Sequence, residues 1–386
     1  MKNVLWLASW YPNRVDNFDG DFIQRHARAV AQYCKIHVIY VKKDDKLAAG
    51  ENTTECKLSG NLTEQIIYYN SQKTGIRLLD KIISQQHYKK HFQHAITKYI
   101  GSSGKPDLVH VHVAMKAGVA ALWIKKKWDI PFIVSEHWTA YLAKADQRIK
   151  QYPFPFKNIL SRVIKKSSAL TVVSDHLGKS IQQYFPAVKY QVIPNVVDTA
   201  FFYPVKKQTT DKIRFIHISS MGYQKNPEAI LQALALVKDE FEFEILLYGP
   251  AIPVQKQFIE VLGLQKKVLL KGEVPQDELA RSLQQCDALI LYSRFETFGC
   301  VLIEANACGI PVIVSDLEVF HEIVEEGVNG IFATGEKPAA LAEKLKQFVL
   351  QRTNFDENLI AATAAEKYNF KKVGEQFFNL YENIKN

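Results

Sequence analysis

Residues 286–316 read CDALILYSRFETFGCVLIEANACGIPVIVSD, and this stretch decides the fold of the second half of the chain. Its first short apolar run, 288–291, predicts a buried parallel strand. Residues 301–307 are helix formers, and the Gly-Ile-Pro that follows is a typical helix end. A second apolar run, 311–315, predicts the next strand. The stretch is therefore one strand–helix–strand unit, with a polar turn where its helix begins.

Two carboxylates lie on either side of that helix start. Glu296 is in the turn, and Glu304 follows eight residues later in the helix. A helix N-terminus presents free backbone N–H groups and the positive end of the helix dipole, so phosphate or sugar groups dock there. A carboxylate beside such a site accepts hydrogen bonds from hydroxyls. The spacing alone is common, and the alternative is that Glu296 caps the helix and Glu304 is a solvated helix residue.

The complete string resembles the donor-site motif of glycosyltransferase family 4, which comprises retaining enzymes with the GT-B fold. That motif reads S-x-x-E-x-F-G and continues as E-A-x-A-x-G-x-P-V, with seven residues between its two glutamates. The positions that fit are Ser293, Glu296, Phe298, Gly299, Glu304, Ala305, Ala307, Gly309, Pro311 and Val312. So many fixed positions in one short stretch make the resemblance specific.

The resemblance implies an α/β chain with the GT-B fold, in which two Rossmann-like parallel-sheet domains face each other across a cleft. The length of 386 residues independently predicts two domains. By the resemblance, residues 1–198 form the acceptor-binding domain and residues 199–365 the nucleotide-sugar donor domain, while residues 366–386 are a helix that crosses back to the first domain. Residues 194–198 (PNVVD) resemble the family's P-N-G-V-D hinge, with Val196 in place of the glycine.

Strand and helix patterns alternate on both sides of this hinge. Apolar runs predict strands at 4–8, 36–41, 107–112, 131–137, 169–174, 188–193, 213–218, 243–248 and 268–271. Helical patterns cover 22–33, 78–100 and 354–383, and residues 43–75 are expected to be irregular. No G-x-G occurs in the sequence, which argues against a nicotinamide-dependent dehydrogenase.

Three residues of the first half are site candidates because loops at the carboxyl ends of parallel strands build the site in open α/β sheets. Gly20 lies in the loop after the first strand, and His112 and His137 end two further strands. Gly20 and His112 are assigned to an acceptor or phosphate loop. The alternatives are an ordinary turn glycine and, for His137, a satisfied edge residue. The family has a glycine loop like that of Gly20, and it places a histidine like His137 beside the transferred sugar.

The resemblance also assigns the donor site. Glu296 would hold sugar hydroxyls, Glu304 the ribose, and the backbone of Val274 the base. Backbone groups of three consecutive residues would line the sugar, namely Phe298, Gly299 and Cys300. Lys225 matches the lysine of the family's G-R-x-x-x-x-K segment and would join Glu296 and His137 in catalysis.

Family enzymes neutralise the leaving diphosphate with protein cations and a helix N-terminus, so no metal ion and no cofactor are expected. Ser220, however, occupies the arginine position of that segment. A serine donates one neutral hydrogen bond, whereas arginine provides a charged fork. Three explanations are open: Lys225 and backbone amides suffice, Arg294 or Lys116 replaces the arginine, or turnover is weak. Without the resemblance, Lys225 would be interpreted as a surface lysine.

Charge divides the chain unevenly. Residues 1–200 contain 29 Lys+Arg against 15 Asp+Glu, a net +14, whereas residues 201–386 contain 20 against 25, a net −5. The first domain is therefore expected to face an anionic partner. Residues 148–167 mix cations with aromatic side chains, which suits a membrane-surface segment, and a solvated basic helix face is the alternative. We expect a UDP- or GDP-sugar donor, a glycan or lipid-linked acceptor, and peripheral contact with an anionic membrane.

The location is expected to be cytoplasmic, with association at most to the inner face of the membrane. Five cysteines without C-x-x-C spacing indicate free thiols in a reducing compartment. No apolar run approaches the ~18 residues of a membrane-spanning helix, and the first residues predict a strand rather than a signal peptide.

Three other function classes compete with a transferase. A non-catalytic GT-B subunit is supported by Ser220 and opposed by the intact Glu296, Glu304 and Lys225. A nucleotide-sugar epimerase of the same fold would differ only in its product. A nucleic-acid partner is not expected, because the basic first half contains no recognisable nucleic-acid-binding module.

Overall fold

The computed structural model describes residues 1–71, 74–207, 212–250 and 253–384. The strands of its first sheet are β1 Asn3–Ala8, β2 Lys35–Lys43, β3 Asn52–Ser59, β4 Leu62–Tyr69, β5 Leu108–His112, β6 Phe132–Glu136, β7 Leu170–Val172 and β8 Gln191–Val192. They lie in the order β3-β4-β2-β1-β5-β6-β7-β8, and every neighbouring pair is parallel except β3 with β4. Helices cover both faces, so the central strands are buried and read as continuous apolar runs.

The helices of this domain connect its parallel strands, as parallel pairing requires. They are α1 Asp21–Val30, α2 Arg77–Ser103, α3 Ala117–Trp128, α4 Phe154–Lys166 and α5 Asp175–Gln182. Helix α1 begins directly after the Gly20 loop, and its apolar side packs on the buried face of β1 together with Trp6 and Val38. The loop between β1 and α1 is thereby fixed at the carboxyl end of the sheet.

The second domain is a six-stranded parallel sheet in the order β11-β10-β9-β12-β13-β14. Its strands are β9 Ile213–Ile218, β10 Phe243–Tyr248, β11 Val268–Gly272, β12 Ala288–Leu291, β13 Val312–Ser315 and β14 Gly330–Ala333. Its helices are α6 Pro227–Leu236, α7 Pro253–Val261, α8 Gln276–Leu283, α9 Cys300–Ala307, α10 Pro338–Gln351 and α11 Glu357–Tyr368. The predicted α/β class, with two parallel-sheet domains, is confirmed.

The last helix, α12 Phe370–Asn383, lies on the first domain rather than the second. Its residues Val373, Phe377 and Tyr381 are buried in the same core as Trp6. The hydroxyl of Tyr381 bonds Nδ1 of His110 at 2.7 Å. The chain therefore leaves the first domain before β9 and returns to it after α11.

Two expectations from the sequence were wrong, and both concern the first sheet. Residues 43–75 are not irregular, since β3 and β4 form a hairpin there. All eight residues of β3 are exposed, so its sequence lacks the apolar alternation that marks a strand, and pairing with β4 decides its conformation. The strand expected at 188–193 is reduced to β8, two exposed residues at the sheet edge.

Candidate active site

A cleft of about 570 Å³ lies between the carboxyl ends of the two sheets. The first domain lines it with the loop and helix after β1, including Asp21, Phe22 and Arg25. The second domain lines it with the segments that follow β9, β10 and β11 and with the start of α9. Ligands bind at this edge of parallel sheets, because the loops there are free to vary while the strands fix their positions.

An ion pair crosses this cleft. Nη1 of Arg25, on α1, donates to Oε1 of Glu304, on α9, and Nη2 of Arg25 donates to Asp21 at 3.1 Å. Arg25 is 3% and Glu304 4% exposed, so the interpretation of Glu304 as a solvated helix residue is wrong. Burial raises the pKa of the Glu304 carboxyl, and Arg25 opposes that rise. Burial lowers the pKa of Arg25, but Asp21 and Glu304 outweigh it, so the guanidinium stays charged.

Glu296 is at the centre of a second buried network. Its carboxylate accepts hydrogen bonds from the ammonium of Lys225, from Oγ of Ser293 at 2.9 Å and from Nε2 of Gln224 at 3.1 Å. It does not cap α9, because Gly299 is the N-cap residue of that helix and no side chain caps it. Lys225 lines the cleft, so its interpretation as an ordinary surface lysine is wrong. The contacts hold the lysine and the carboxylate together at the mouth of α9.

Ser220 also lines the cleft, but neither of the two cations considered as replacements for the missing arginine is among the described residues that line it. Arg294 donates to the carbonyl of Tyr223 and stacks on that ring at 4.2 Å. Lys116 lines a separate cavity between α2 and α3. Among the described residues that line the cleft, the cationic side chains are Lys225 and Arg25.

The start of α9 presents its backbone to the same cleft. Gly299 has a φ of 103°, which a side chain would strain, and this turn lets the helix begin at Cys300. Cys300 and Val274 line the cleft, and Phe298 is buried beneath it. Burial raises the pKa of the Cys300 thiol to about 12, so the sulfur is protonated at neutral pH and is a poor nucleophile.

Gly20 is required by its backbone. Its φ is 67°, and a Cβ there would lie 2.7 Å from the carbonyl carbon and oxygen of Trp10. It is the N-cap residue of α1 and orients the loop whose neighbours Asp19 and Asp21 line the cleft. The glycine is therefore needed for the backbone conformation of this loop. Gly20 itself is not among the described residues that line the cleft.

The structure places His112 and His137 one layer behind the cleft. Both are buried, and neither is among the described residues that line it. Phe22 lies over His137 with ring centroids 4.7 Å apart, and Trp6 lies over His112 at 4.0 Å. His110 is a core residue with both ring nitrogens bonded. A role of His137 beside the transferred sugar stays a prediction.

A third histidine completes that layer. One possible ligand atom from each of His26, His112 and His137 lies within 4.8 Å of the other two, so these side chains could together hold a metal ion. Sequence analysis missed His26 and Arg25, which are adjacent in α1. Their position in the first turns after the Gly20 loop could have indicated that they lie near the site, but the sequence does not show which residues they contact.

The basic segment 148–167 forms α4 and the turn before it. Its aromatic residues separate into two groups. Tyr152 and Phe156 pack against Trp138, whereas Phe154 is 76% exposed. Within the described residues, no helix combines the length and apolar character that a membrane span requires.

Family comparisons agree with this architecture. Residues 22–201 match the family described as Glycosyltransferase Family 4, and residues 200–366 match the one described as Glycosyl transferases group 1. Two parallel-sheet domains, with this motif at the mouth of a helix in their shared cleft, define a glycosyltransferase of the GT-B type. The chain belongs to glycosyltransferase family 4.

Curated relatives are enzymes of the same kind. N-acetyl-alpha-D-glucosaminyl L-malate synthase of Bacillus anthracis is 25% identical over 295 residues, which is 72% of this chain and 75% of the relative. D-inositol 3-phosphate glycosyltransferase of Xylanimonas cellulosilytica is 26% identical over 266 residues, which is 63% of this chain and 64% of the relative. These names differ in substrate, so they support transfer of a sugar and leave its acceptor open.

Solved structures show the same fold over the whole chain. Sucrose-phosphate synthase of Thermosynechococcus elongatus superposes with a TM-score of 0.81 at 15% identity, covering 99% of this chain and 98% of that one. HepE of Anabaena, solved in complex with UDP-glucose, superposes with a TM-score of 0.71 at 17% identity, covering 100% of both chains. At these identities the likeness concerns the fold.

Proposed function

We propose that this glycosyltransferase moves a sugar from a UDP- or GDP-sugar to a glycan or lipid-linked glycan, with retention of configuration, in the synthesis of a cell-surface polysaccharide or glycoconjugate. The observation that carries the proposal is the convergence of Lys225, Glu304 and the start of α9 on one cleft, with Glu296 bonded to Lys225. The UDP-glucose bound by HepE, which shares this fold, supports a nucleotide-sugar donor.

Each donor group has a partner in the proposal. The ribose hydroxyls bind Glu304, and the base meets the backbone of Val274 at the end of β11. The sugar lies over the backbone of residues 298–300, with its hydroxyls held by Glu296. The hydrogen bond from Ser293 to Glu296 orients that carboxylate, so it does not have to reorganise when the sugar arrives.

The leaving diphosphate is stabilised by Lys225 and by the backbone N–H groups at the start of α9, without a metal ion. A helix N-terminus combines unpaired donors with a positive dipole end, and both act on developing negative charge. Lys225 is already fixed by Glu296, so its ammonium is positioned before the donor enters.

Arg25 provides the second cation. Nη1 of Arg25 donates to Oε1 of Glu304, which leaves Oε2 to accept from the ribose hydroxyls beside the guanidinium. The guanidinium lines the same cleft as Ser220, where the family's segment has an arginine. We assign to Arg25 the charged, two-pronged contact with the diphosphate that Ser220 cannot make. The non-catalytic alternative then loses its main support.

The chemical step needs no covalent enzyme intermediate. The acceptor oxygen attacks the anomeric carbon on the face that the phosphate leaves, the bond from that carbon to the phosphate oxygen breaks, and the acceptor's proton passes to the departing phosphate. The protonated thiol of Cys300, the cysteine that lines the cleft in the described part of the chain, agrees with this route.

For the acceptor we propose a lipid-linked or membrane-proximal glycan. The first 200 residues, with a net charge of +14, would be drawn to an anionic surface. A cavity of about 350 Å³ between α2 and α3 is lined by apolar residues such as Phe92 and Trp123 and by two cations, Lys89 and Lys116. An apolar wall with cations at its edge suits a lipid-linked phosphate.

Ligand-induced thermal shifts test the donor proposal. UDP, GDP and their common sugars are titrated with Mg²⁺ and again with EDTA, since binding to the folded state raises stability by RT ln(1 + [L]/Kd). We expect one nucleotide series to raise the Tm equally under both conditions. Each variant is compared with its own ligand-free Tm: Glu304→Ala loses the shift, and Glu343→Ala, a change at an exposed carboxylate, keeps it. A protein that no nucleotide stabilises contradicts the proposal.

A further inference from the structure

Three imidazoles from different elements of the first domain meet in its interior. His26 comes from α1, His112 from the last position of β5 and His137 from the residue after β6. Their exposures are 0%, 0% and 6%. One ring nitrogen from each lies within 4.8 Å of the other two, although the three residues are far apart in the sequence.

Five nitrogens of this histidine cluster have no hydrogen-bond partner among the described residues. They are Nδ1 of His26 and both ring nitrogens of His112 and His137. Buried polar atoms are normally paired, because an unpaired one loses its water without compensation. Three neighbouring buried rings with so many unpaired nitrogens indicate that a bound species belongs among them.

The one paired nitrogen of the cluster makes the kind of hydrogen bond that commonly orients a metal-binding histidine. Nε2 of His26 lies 3.1 Å from the carbonyl oxygen of Pro194, which can only accept, so Nε2 carries the proton. The lone pair is therefore on Nδ1, the unpaired nitrogen of this ring, which is free to act as a ligand. Metal-binding histidines commonly donate their other N–H to a carbonyl or carboxylate in this way.

A neighbouring histidine provides the contrast. His110 is also buried, on the same strand as His112, with ring centroids 4.0 Å apart. Both of its nitrogens are bonded, one to the hydroxyl of Tyr381 and the other to Oγ of Ser135, each at 2.7 Å. Burial of a histidine in this core therefore does not by itself leave nitrogens unpaired.

We propose that His26, His112 and His137 bind one divalent transition-metal ion, zinc by preference, leaving a fourth coordination position open. Three imidazoles without a carboxylate suit Zn²⁺ and do not suit Mg²⁺ or Ca²⁺, which take oxygen ligands. Zn–N bonds of ~2.0–2.1 Å in tetrahedral geometry place ligand nitrogens about 3.4 Å apart. Each ring then moves by less than about 1 Å from the observed separations.

The electrostatics agree with neutral ligands. Burial lowers the pKa of all three histidines, that of His26 to about 4, so each is unprotonated at neutral pH. An ion there would tie α1 to the ends of β5 and β6, directly behind Phe22 and next to Arg25 in the sequence. The ion would be separate from the groups to which we assign the diphosphate.

Metal loading of the tag-free full chain tests the proposal. Protein stripped with a chelator is titrated with Co²⁺, whose visible absorption reports tetrahedral coordination. We expect one Co²⁺ per chain, displaced by Zn²⁺, and a Zn²⁺-dependent rise in Tm. In His26→Gln, the amide nitrogen can still donate to Pro194 while the Nδ1 ligand is lost, so the absorption and the rise disappear. His217→Gln, at a buried histidine of the second domain with both nitrogens bonded, keeps both signals.

Two results would overturn the proposal: a wild-type chain with no Co²⁺ absorption, or the same absorption in His26→Gln. If His26→Gln does not fold, X-ray absorption at the zinc edge of the wild-type protein decides, and fewer than three imidazoles around the ion rejects the site. Nucleotide-induced shifts are a separate readout, so failure of this site does not bear on the proposed transfer reaction.

Discussion

Arg25 and Glu304 are 279 residues apart in the sequence, yet they form a buried ion pair that joins the two domains across the cleft. The carboxylate is the one predicted to hold the donor's ribose. The domains are therefore linked through the carboxylate to which we assign the ribose. The pair holds a charged guanidinium in the cleft, where Ser220 provides no cation.

Removing the guanidinium should reduce catalysis. Arg25→Met keeps the length of the side chain and removes its charge. We expect kcat/KM to fall about tenfold to a hundredfold, because charge-assisted hydrogen bonds contribute ~1.5–3 kcal/mol. Steady-state kinetics with the donor identified by thermal shift measures the effect. Wild-type kinetics in Arg25→Met would exclude Arg25 from the diphosphate site.

Stability measurements distinguish a catalytic role of Arg25 from a purely structural one. Arg25→Met leaves Glu304 buried and unpaired, which costs about 3–5 kcal/mol at pH 8. Arg25→Met combined with Glu304→Gln removes the unpaired charge, so urea denaturation should show most of that stability restored. Activity should stay low in the double variant. If activity recovered together with stability, Arg25 would be a structural residue only.

Restoring the family's arginine should make Arg25 dispensable. Ser220 lines the same cleft, so Ser220→Arg introduced into Arg25→Met is expected to regain at least tenfold in kcat/KM, the equivalent of about 1.4 kcal/mol. Ser220→Gln has a similar volume without the charge and serves as the control. Equal activity of the two substitutions would show that charge at this place does not limit the reaction.

Glu136 should make stability depend on pH. Burial raises the pKa of this carboxyl from 4.5 to about 7. The folded protein therefore holds the proton over a range in which the unfolded chain has lost it. The stabilisation from this shifted pKa is complete below pH 4.5 and is lost as pH rises through 7. The free energy of unfolding should fall by about 3 kcal/mol over that range, at about 1.36 kcal/mol per pKa unit.

The measurement for Glu136 is a difference between two proteins. Buried histidines with lowered pKa values act in the opposite direction at acid pH, since they resist protonation. Comparing wild type with Glu136→Gln cancels their effect. The variant should gain stability relative to wild type as pH rises from 5 to 8, when urea denaturation is followed across that range. A constant difference would show that Glu136 ionises normally.

The exposed side of α4 should bind anionic membranes. Phe154 is 76% exposed, and three exposed cations follow it on the same helix, Arg162, Lys165 and Lys166. Phe154→Ser with the three cations changed to Gln is expected to weaken binding to anionic liposomes, measured by sedimentation. Leu350→Ser, at an 84% exposed position of the second domain, is the matched control. Unchanged binding in the α4 variant would reject this surface.

The cations of α4 also predict a salt effect. Each Lys or Arg near an anionic surface contributes about 1 kcal/mol, and this attraction is screened within a Debye length. Binding of the wild-type protein should therefore fall as salt is raised and be weak on neutral liposomes. Binding that does not change with salt would indicate that apolar contacts alone hold the protein on the membrane.

The second domain was largely predictable because its signals are local. The strand at 288–291 agrees with β12, and the helix at 301–307 with α9. Strand and helix propensities act over a few residues, and a buried parallel strand is apolar throughout. The hairpin of β3 and β4 was missed because β3 is polar and exposed, and its strand conformation comes from pairing with a neighbour.

By itself, the sequence determined the family, the two-domain α/β fold and the stretch that brings Glu296 and Glu304 to the start of one helix. These features depend on the identity and spacing of residues that are close together in the sequence. Only the tertiary structure decided that Arg25 meets Glu304, that Arg294 is held by Tyr223 and that three histidines converge behind Phe22. Those contacts join segments that approach only when sheets and helices pack, so no local pattern encodes them.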